Sequence, residues 1–167
     1  MAPGGSPTTR RLFLMRHAQA AAFAPGGGDR DRALTTEGEA QAKRAGAMLA
    51  GAGIERLLSS PAARARQTAD GLGLAAPLTV VDALYNCSAT TITGVLARLP
   101  EYVRTACVVG HFPGLPALVQ EVADRQSGGS ELAGLARHFP PATVVELEFA
   151  DQWPQLHIAR LVAVRRP

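Results

Sequence analysis

The chain carries two cysteines, Cys87 and Cys107, and no Cys-x-x-Cys pair. A disulfide framework is therefore excluded, and each thiol reads as a small core or near-surface residue. Aromatic residues make up only 5% of the sequence, and no run of basic residues exceeds two. A nucleic-acid surface needs a basic stripe interleaved with aromatics, so none is expected despite the formal net charge of +3. No apolar run approaches the ~20 residues of a membrane helix. The opening stretch from Met1 to Thr9 is rich in Gly, Pro, Ser and Thr and lacks a signal peptide's apolar region. The expectation is a cytoplasmic protein with neither membrane nor nucleic acid as partner. The histidines form no His-x-His or His-Glu-x-x-His pattern, so no metal site is expected, and nothing points to a cofactor. Gly-x-Ser-x-Gly, the serine hydrolase signature, is absent. Gly26-Gly27-Gly28 is not followed by Gly-Lys-Ser/Thr, so it is no phosphate loop.

What is present fits one domain with a full core, since 167 residues are too few for two ordinary domains. Residues 1–10 read as a flexible tail and 11–167 as the domain. Short apolar runs end abruptly at polar residues, as buried strands do. Leu12-Phe13-Leu14-Met15 ends in Arg16-His17, Ile54 to Leu58 ends in Ser59-Ser60-Pro61, and Thr105 to Val109 ends in Gly110-His111. Leu78 to Val81 is a further strand. Val144 to Phe149 alternates apolar and polar residues and reads as a half-exposed strand, paired in a hairpin with Leu156 to Val164.

Helices fill the intervals. One opens at Thr35 or Thr36, with Thr36 and Glu39 fitting a capping box, and ends at Gly51-Ala52-Gly53. A second starts with Ser60 as N-cap and Pro61 at its first position. Thr90 to Leu99 and Gly114 to Arg125 carry apolar stripes, the latter stopped by Gln126-Ser127-Gly128-Gly129-Ser130. Strands alternating with helices give an α/β domain of about six strands with helices on both faces of the sheet.

Catalytic side chains in such folds sit just past the carboxyl ends of strands. An imidazole there can act as a nucleophile, and a guanidinium can hold a phosphoryl group in a bidentate fork. On the second helix Arg64 falls in the first turn, facing the strand end, whereas Arg66 lies about 200° further round and faces solvent. His138 and His157 stand in a loop and in the hairpin and read as structural or exposed.

The ordered set Arg16, His17, Arg64 and His111, each at a strand's end, resembles the histidine phosphatase (phosphoglycerate-mutase-like) superfamily. So do Leu-Thr-x-x-Gly-x-x-Gln-Ala from Leu34 and Arg-Ala-x-Gln-Thr from Arg64. The resemblance covers nearly the whole chain. It implies a three-layer α/β/α sandwich with a mostly parallel sheet of about six strands and one antiparallel edge. It also implies His17 as the nucleophile, with Arg16, Arg64 and His111 holding the phosphoryl group and His111 as a donor to its oxygens.

Many members carry a glutamate as general acid where this chain has Asn86, and Asp82 is the nearest carboxylate, a candidate acid. Phe112 replaces the Asn of Gly-His-Asn-Pro-Gly. Arg-His-Ala, the short length and the missing acid resemble the compact SixA-like branch, associated with protein phosphohistidine. A phosphoramidate leaves as neutral imidazole and needs less acid help than an ester. The expected function is thus a metal-independent phosphatase acting through phospho-His17 on a phosphohistidine protein. The alternatives are a small-molecule phosphomonoesterase, with Asp82, Asp29 or Asp31 as acid, and a non-catalytic phosphate- or phosphoprotein-binding module.

Overall fold

Strand β1 (Arg10–Arg16) is buried on both faces. Leu12 and Leu14 point into one hydrophobic cluster, Phe13 and Met15 into another. That double burial is why its sequence is continuously apolar rather than alternating. The computed structural model describes residues 9–167. The tail expected over residues 1–10 lies, for residues 1–8, outside the described residues. Arg10 already belongs to β1, with a side chain that is 2% exposed and donates to the Asp151 carbonyl.

The remaining elements are α1 (Thr36–Leu49), β2 (Arg56–Ser59), α2 (Ala63–Gly71), β3 (Leu78–Val80), α3 (Ala89–Leu96), β4 (Thr105–Gly110), α4 (Gly114–Val122), α5 (Arg125–Leu135), β5 (Val144–Phe149) and β6 (Arg160–Arg165). They form one six-stranded sheet in the order β3-β2-β4-β1-β5-β6. The first four strands are mutually parallel, and β5 runs antiparallel to both neighbours. The antiparallel strand is thus one place in from the edge, with β6 outside it. Apolar residues of α1 and α2 pack on the face that carries Phe13, Met15, Cys107 and Val109. Those of α3, α4 and α5 pack on the face that carries Leu12, Leu14 and Val108. This is the three-layer α/β/α sandwich. Both cysteines are free. Among the described residues no helix is long and apolar enough to cross a membrane.

Several local expectations are corrected. Thr35, not Thr36, caps α1, its hydroxyl accepting from Gly38 N. The motif glycine Gly38 is needed because α1 packs directly on the Gln19 carbonyl, where any Cβ would collide with backbone. Helix α2 begins at Ala63, two residues beyond the expected Pro61 start, and has no side-chain cap. The Gly-Ser run at 126–130 does not end structure but lies within α5, which kinks at Gly129. Strand β5 is not half-exposed, because Glu146 is 3% exposed and is neutralised by Arg11 and Arg165, each at 2.7 Å.

Candidate active site

The sheet order sets β4 between β2 and β1, so the carboxyl ends of these three strands lie side by side. Backbone hydrogen bonds carry the alignment past the strands: His17 N donates to Gly110 O at 3.0 Å and Ser60 N to Val109 O at 3.1 Å. Arg16, His17, Arg64 and His111 therefore converge on one cavity of about 220 Å³, shared with Asp29, Arg32, Asn86 and Phe112.

The His17 ring is 7% exposed. Its Nδ1 lies 2.8 Å from the Ala18 carbonyl oxygen. That oxygen only accepts, so Nδ1 carries the ring proton and Nε2 keeps its lone pair. Burial pushes the imidazole down to about 4, the Ala18 carbonyl working against it, and the cations Arg64, Arg16 and Arg32 lower it further. The neutral form is thus secured first by burial and then by the neighbouring arginines.

Arg64 is 2% exposed and stands in the first turn of α2. Its Nε donates toward His17 Nε2 at 3.3 Å and its Nη2 toward His111 Nδ1 at 3.5 Å. Arg66 is exposed, as the helical phase predicts. Arg16 is anchored by one nitrogen, Nη1 donating to Phe139 O at 2.7 Å, while its buried Nε has no partner. The guanidinium lies 5.7 Å from the centre of the Phe112 ring, so the residue that departs from Gly-His-Asn-Pro-Gly stacks on the arginine.

His111 sits 5.3 Å from the His17 ring, centroid to centroid. Because Arg64 can only donate, Nδ1 of a neutral His111 accepts and Nε2–H donates to Ser60 Oγ at 2.7 Å. Burial, then the charges of His17 and Arg64, hold it down to about 3. Ser60 was expected as a helix cap. Its hydroxyl instead orients His111, while also accepting from Ala62 N at 3.3 Å.

The Arg-Ala-x-Gln-Thr motif fastens the loop after His17. Thr68 Oγ1 accepts from Ala18 N at 2.9 Å and donates to Arg64 O at 2.6 Å, tying the loop after His17 to the arginine helix. Gln67 Oε1 accepts from Leu34 N at 2.7 Å. A further segment escaped the sequence reading. Phe139 O takes Arg16, Ala142 N donates to His17 O at 3.1 Å, and Thr143 O accepts from Arg16 N at 3.0 Å. Ala142 has φ 64°, a left-handed conformation with no glycine to announce it.

The carboxylates separate clearly. Asp82 does not line the cavity. Its side chain is 92% exposed and only faces Arg30 at 3.5 Å. Asp31 is exposed and accepts from Gly28 N. Asp29 does reach the site. Its Oδ2 accepts from Tyr85 Oη at 2.6 Å and from Arg64 Nη2 at 3.0 Å, and its Oδ1 from Arg32 Nε at 2.9 Å. These donors, Tyr85 foremost, hold the carboxyl well below its usual range. His138 and His157 do not line the cavity. Among the described residues no three His, Cys, Asp or Glu side chains are grouped to hold a metal.

A neutral nitrogen that keeps its lone pair can attack phosphorus, and the two guanidinium groups and second imidazole around it can hold the oxygens of a phosphoryl group. Comparisons with known proteins agree in fold and family. A solved structure from Nakamurella multipartitia, provisionally named phosphohistidine phosphatase SixA, superposes with TM-score 0.86 at 34% identity, over 95% of this chain and 96% of that one. Its counterpart from Agrobacterium tumefaciens, named in the same way, gives 0.75 at 30%, over 97% and 100%. Among curated proteins, an uncharacterized protein of Mycobacterium tuberculosis is 32% identical over 142 residues, 83% of this chain and 89% of its own. Residues 12–125 match the model of the histidine phosphatase superfamily (branch 1). This chain belongs to that superfamily.

Proposed function

We propose that the protein is a phosphatase that transfers a phosphoryl group to His17 Nε2 and then to water, with phosphohistidine on a protein as its substrate. The observation that carries the reading is the Nδ1–H bond to the Ala18 carbonyl, which leaves Nε2 unprotonated and facing Arg64. Phosphorus bonds to Nε2 as the P–N bond to the substrate imidazole breaks. That ring, protonated on its other nitrogen, departs neutral, and the charge passes to the His17 ring. Water then attacks phosphorus, the P–Nε2 bond breaks, and neutral His17 and dihydrogen phosphate remain. Arg16 and Arg64 hold the equatorial oxygens throughout. A dianion beside His111 favours its protonated form, which turns Nδ1 from acceptor into donor.

Preference for P–N over P–O cleavage rests on the missing acid. An alkoxide leaving group gains roughly 10²–10⁴-fold from a proton donor. Asp29, the carboxylate that reaches the cavity, is held ionised by Tyr85, Arg64 and Arg32, so it has no proton to give. This also favours phosphohistidine over a small-molecule phosphomonoester as the substrate. The structural likeness to phosphohistidine phosphatase SixA supports the same substrate class.

The test is phosphate release, in buffer with chelator, from a phosphohistidine protein and from an aryl phosphate, for wild type and His17→Ala. Faster release from phosphohistidine, abolished in His17→Ala and accompanied by a trapped phospho-His17, is expected. Equal or faster ester turnover would overturn the substrate assignment. Phosphate binding without turnover of either compound would leave a binding module.

A further inference from the structure

Arg64 does not present an open fork. Its Nη1 donates to the Asp29 main-chain oxygen at 2.6 Å and its Nη2 to Asp29 Oδ2 at 3.0 Å, while Nε points at His17. The arginine read above as the phosphate holder thus already grips an anion supplied by the chain itself. Asp29 is not a stray surface acid in this role. Tyr85 and Arg32 fix both of its oxygens, and Arg30 packs 5.1 Å from the Tyr85 ring centre.

The contact is also built to open. Arg64 is 3% exposed on its side chain, but Asp29 is 48% exposed, so only one partner of the pair is free to leave. Asp29 begins a single 3₁₀ turn, Asp29–Asp31, directly after Pro25-Gly26-Gly27-Gly28, where Gly26 has φ +70°. Asp29 and Arg32 line the site cavity on one side. On the other they line a second cavity of about 280 Å³, with Ala22, Phe23, Gly27 and Gly28. The Asp29–Arg32 pair is the wall between the two, and a carboxylate released from Arg64 has space on the far side.

We propose that Asp29 is a built-in competing anion that an incoming phosphoryl group has to displace from Arg64. The inference rests on the reading of Arg64 as a phosphate-binding residue. Inorganic phosphate and small monoesters bring little besides charge, and must offset the Asp29 contacts from the fork alone. A phosphoryl group carried on a protein adds contacts at the rim, where Phe112 is 46% exposed, and over the neighbouring cavity, where Phe23 is 72% exposed. The same carboxylate, returning to Arg64, drives product phosphate out. Displacing Asp29 costs every phosphoryl group the same, and a protein-borne one offsets that cost with its rim contacts while free phosphate has none.

The experiment is calorimetric titration of the full chain with inorganic phosphate, alongside its inhibition constant against an aryl phosphate. Wild type, Asp29→Asn, Tyr85→Phe and Arg64→Ala are compared. Asp29→Asn keeps the shape and loses the charge, and is expected to bind phosphate about tenfold more tightly or better, in line with the strength of a hydrogen bond to a charged group. Tyr85→Phe, which only loosens the carboxylate, is expected to move the same way by less. It carries the test alone should Asp29→Asn fail to fold. A purely structural role would not tighten binding in either variant. Phosphate bound by wild type, lost in Arg64→Ala and not tightened in Asp29→Asn would overturn the proposal alone. Unchanged phosphate affinity with ester turnover lowered in Asp29→Asn would make Asp29 the acid and overturn it too. Phosphate bound by none of the proteins would overturn the functional reading itself.

Discussion

Nε of Arg64 lies 3.3 Å from Nε2 of His17, although the two residues are 47 positions apart in sequence. A cation pointed at a lone pair keeps that nitrogen unprotonated, and burial has the larger share in the same effect. The imidazole is held at about 4. We expect its NMR titration to show His17 neutral throughout the range above pH 5. Arg64→Ala should raise the midpoint but leave it below the ordinary 6.5, because the burial remains. A midpoint near 6.5 in wild type would contradict this account of the nucleophile.

The geometry of Arg64 also separates it from its neighbour. Arg64 engages His17, His111 and Asp29 through three different nitrogens. A lysine, one point charge on a flexible stem, cannot reproduce that fork. Arg64→Lys should lower kcat/KM by about 10²–10³-fold, the scale of losing one preorganised oxyanion donor. Arg66→Ala, on the solvent face of α2, should stay within about twofold of wild type, the effect expected of a surface change far from the chemistry. Steady-state kinetics on both variants checks the contrast.

Thr68 joins the loop after His17 to the arginine helix through a hydroxyl that is fully buried. Thr68→Val keeps the volume but leaves the Ala18 N–H without an acceptor. The expected loss is about 1–3 kcal/mol of stability, read by urea denaturation, with a fall in turnover because Ala18 also holds His17 Nδ1. Thr68→Ser should recover most of both. A Val variant as stable and active as wild type would show that the motif threonine is dispensable here.

Gly38→Ala tests the other motif that fastens this loop. Its Cβ would meet the Gln19 carbonyl, two residues past His17, and backbone cannot turn aside as a side chain can. Overpacking of this kind costs about 1–3 kcal/mol. We expect a lower urea midpoint together with reduced kcat, since relieving the clash moves the loop that follows His17.

What was legible in the sequence was what local pattern encodes. Apolar runs that stop at Arg16-His17, Ser59-Ser60 and Gly110-His111 mark strand ends, and helical phase separates Arg64 from Arg66. What was not legible depends on pairings between distant segments. Ser60 looked like a cap because caps are read locally, yet its hydroxyl goes to His111, 51 positions away. Glu146 looked exposed because alternation says nothing of Arg11 and Arg165 closing over it. Asp82 was the nearest carboxylate in the chain, whereas Asp29 is the nearest in space, brought there by a glycine-rich loop. The left-handed Ala142 carries no local signal because it is no glycine, and α5 carries a misleading one because the Gly128-Gly129 pair among its three glycines reads as a helix stop.

The buried histidines make stability depend on pH. In the unfolded chain His17 titrates near 6.5, and in the folded protein at about 4. Between these values the unfolded state binds more protons, so stability rises with pH. The contribution is fully present above 6.5, declines as pH falls from 6.5, and is spent once pH passes below the folded value. For His17 alone the loss between pH 7 and pH 5 is about 2 kcal/mol by the linkage relation. His111, held at about 3, adds to it in the same direction, though not independently, since part of its lowering comes from His17. Asp29 is lowered from 3.8, so its stabilisation is lost only as pH falls below that value, outside the pH 7 to 5 window. Urea denaturation at pH 7 and pH 5 should therefore show a clear fall for wild type. His17→Gln removes one of the two titrating groups and should shrink the difference between the two pH values, whatever it does to stability at either one. An undiminished slope in that variant would mean that His17 is not buried in its neutral form.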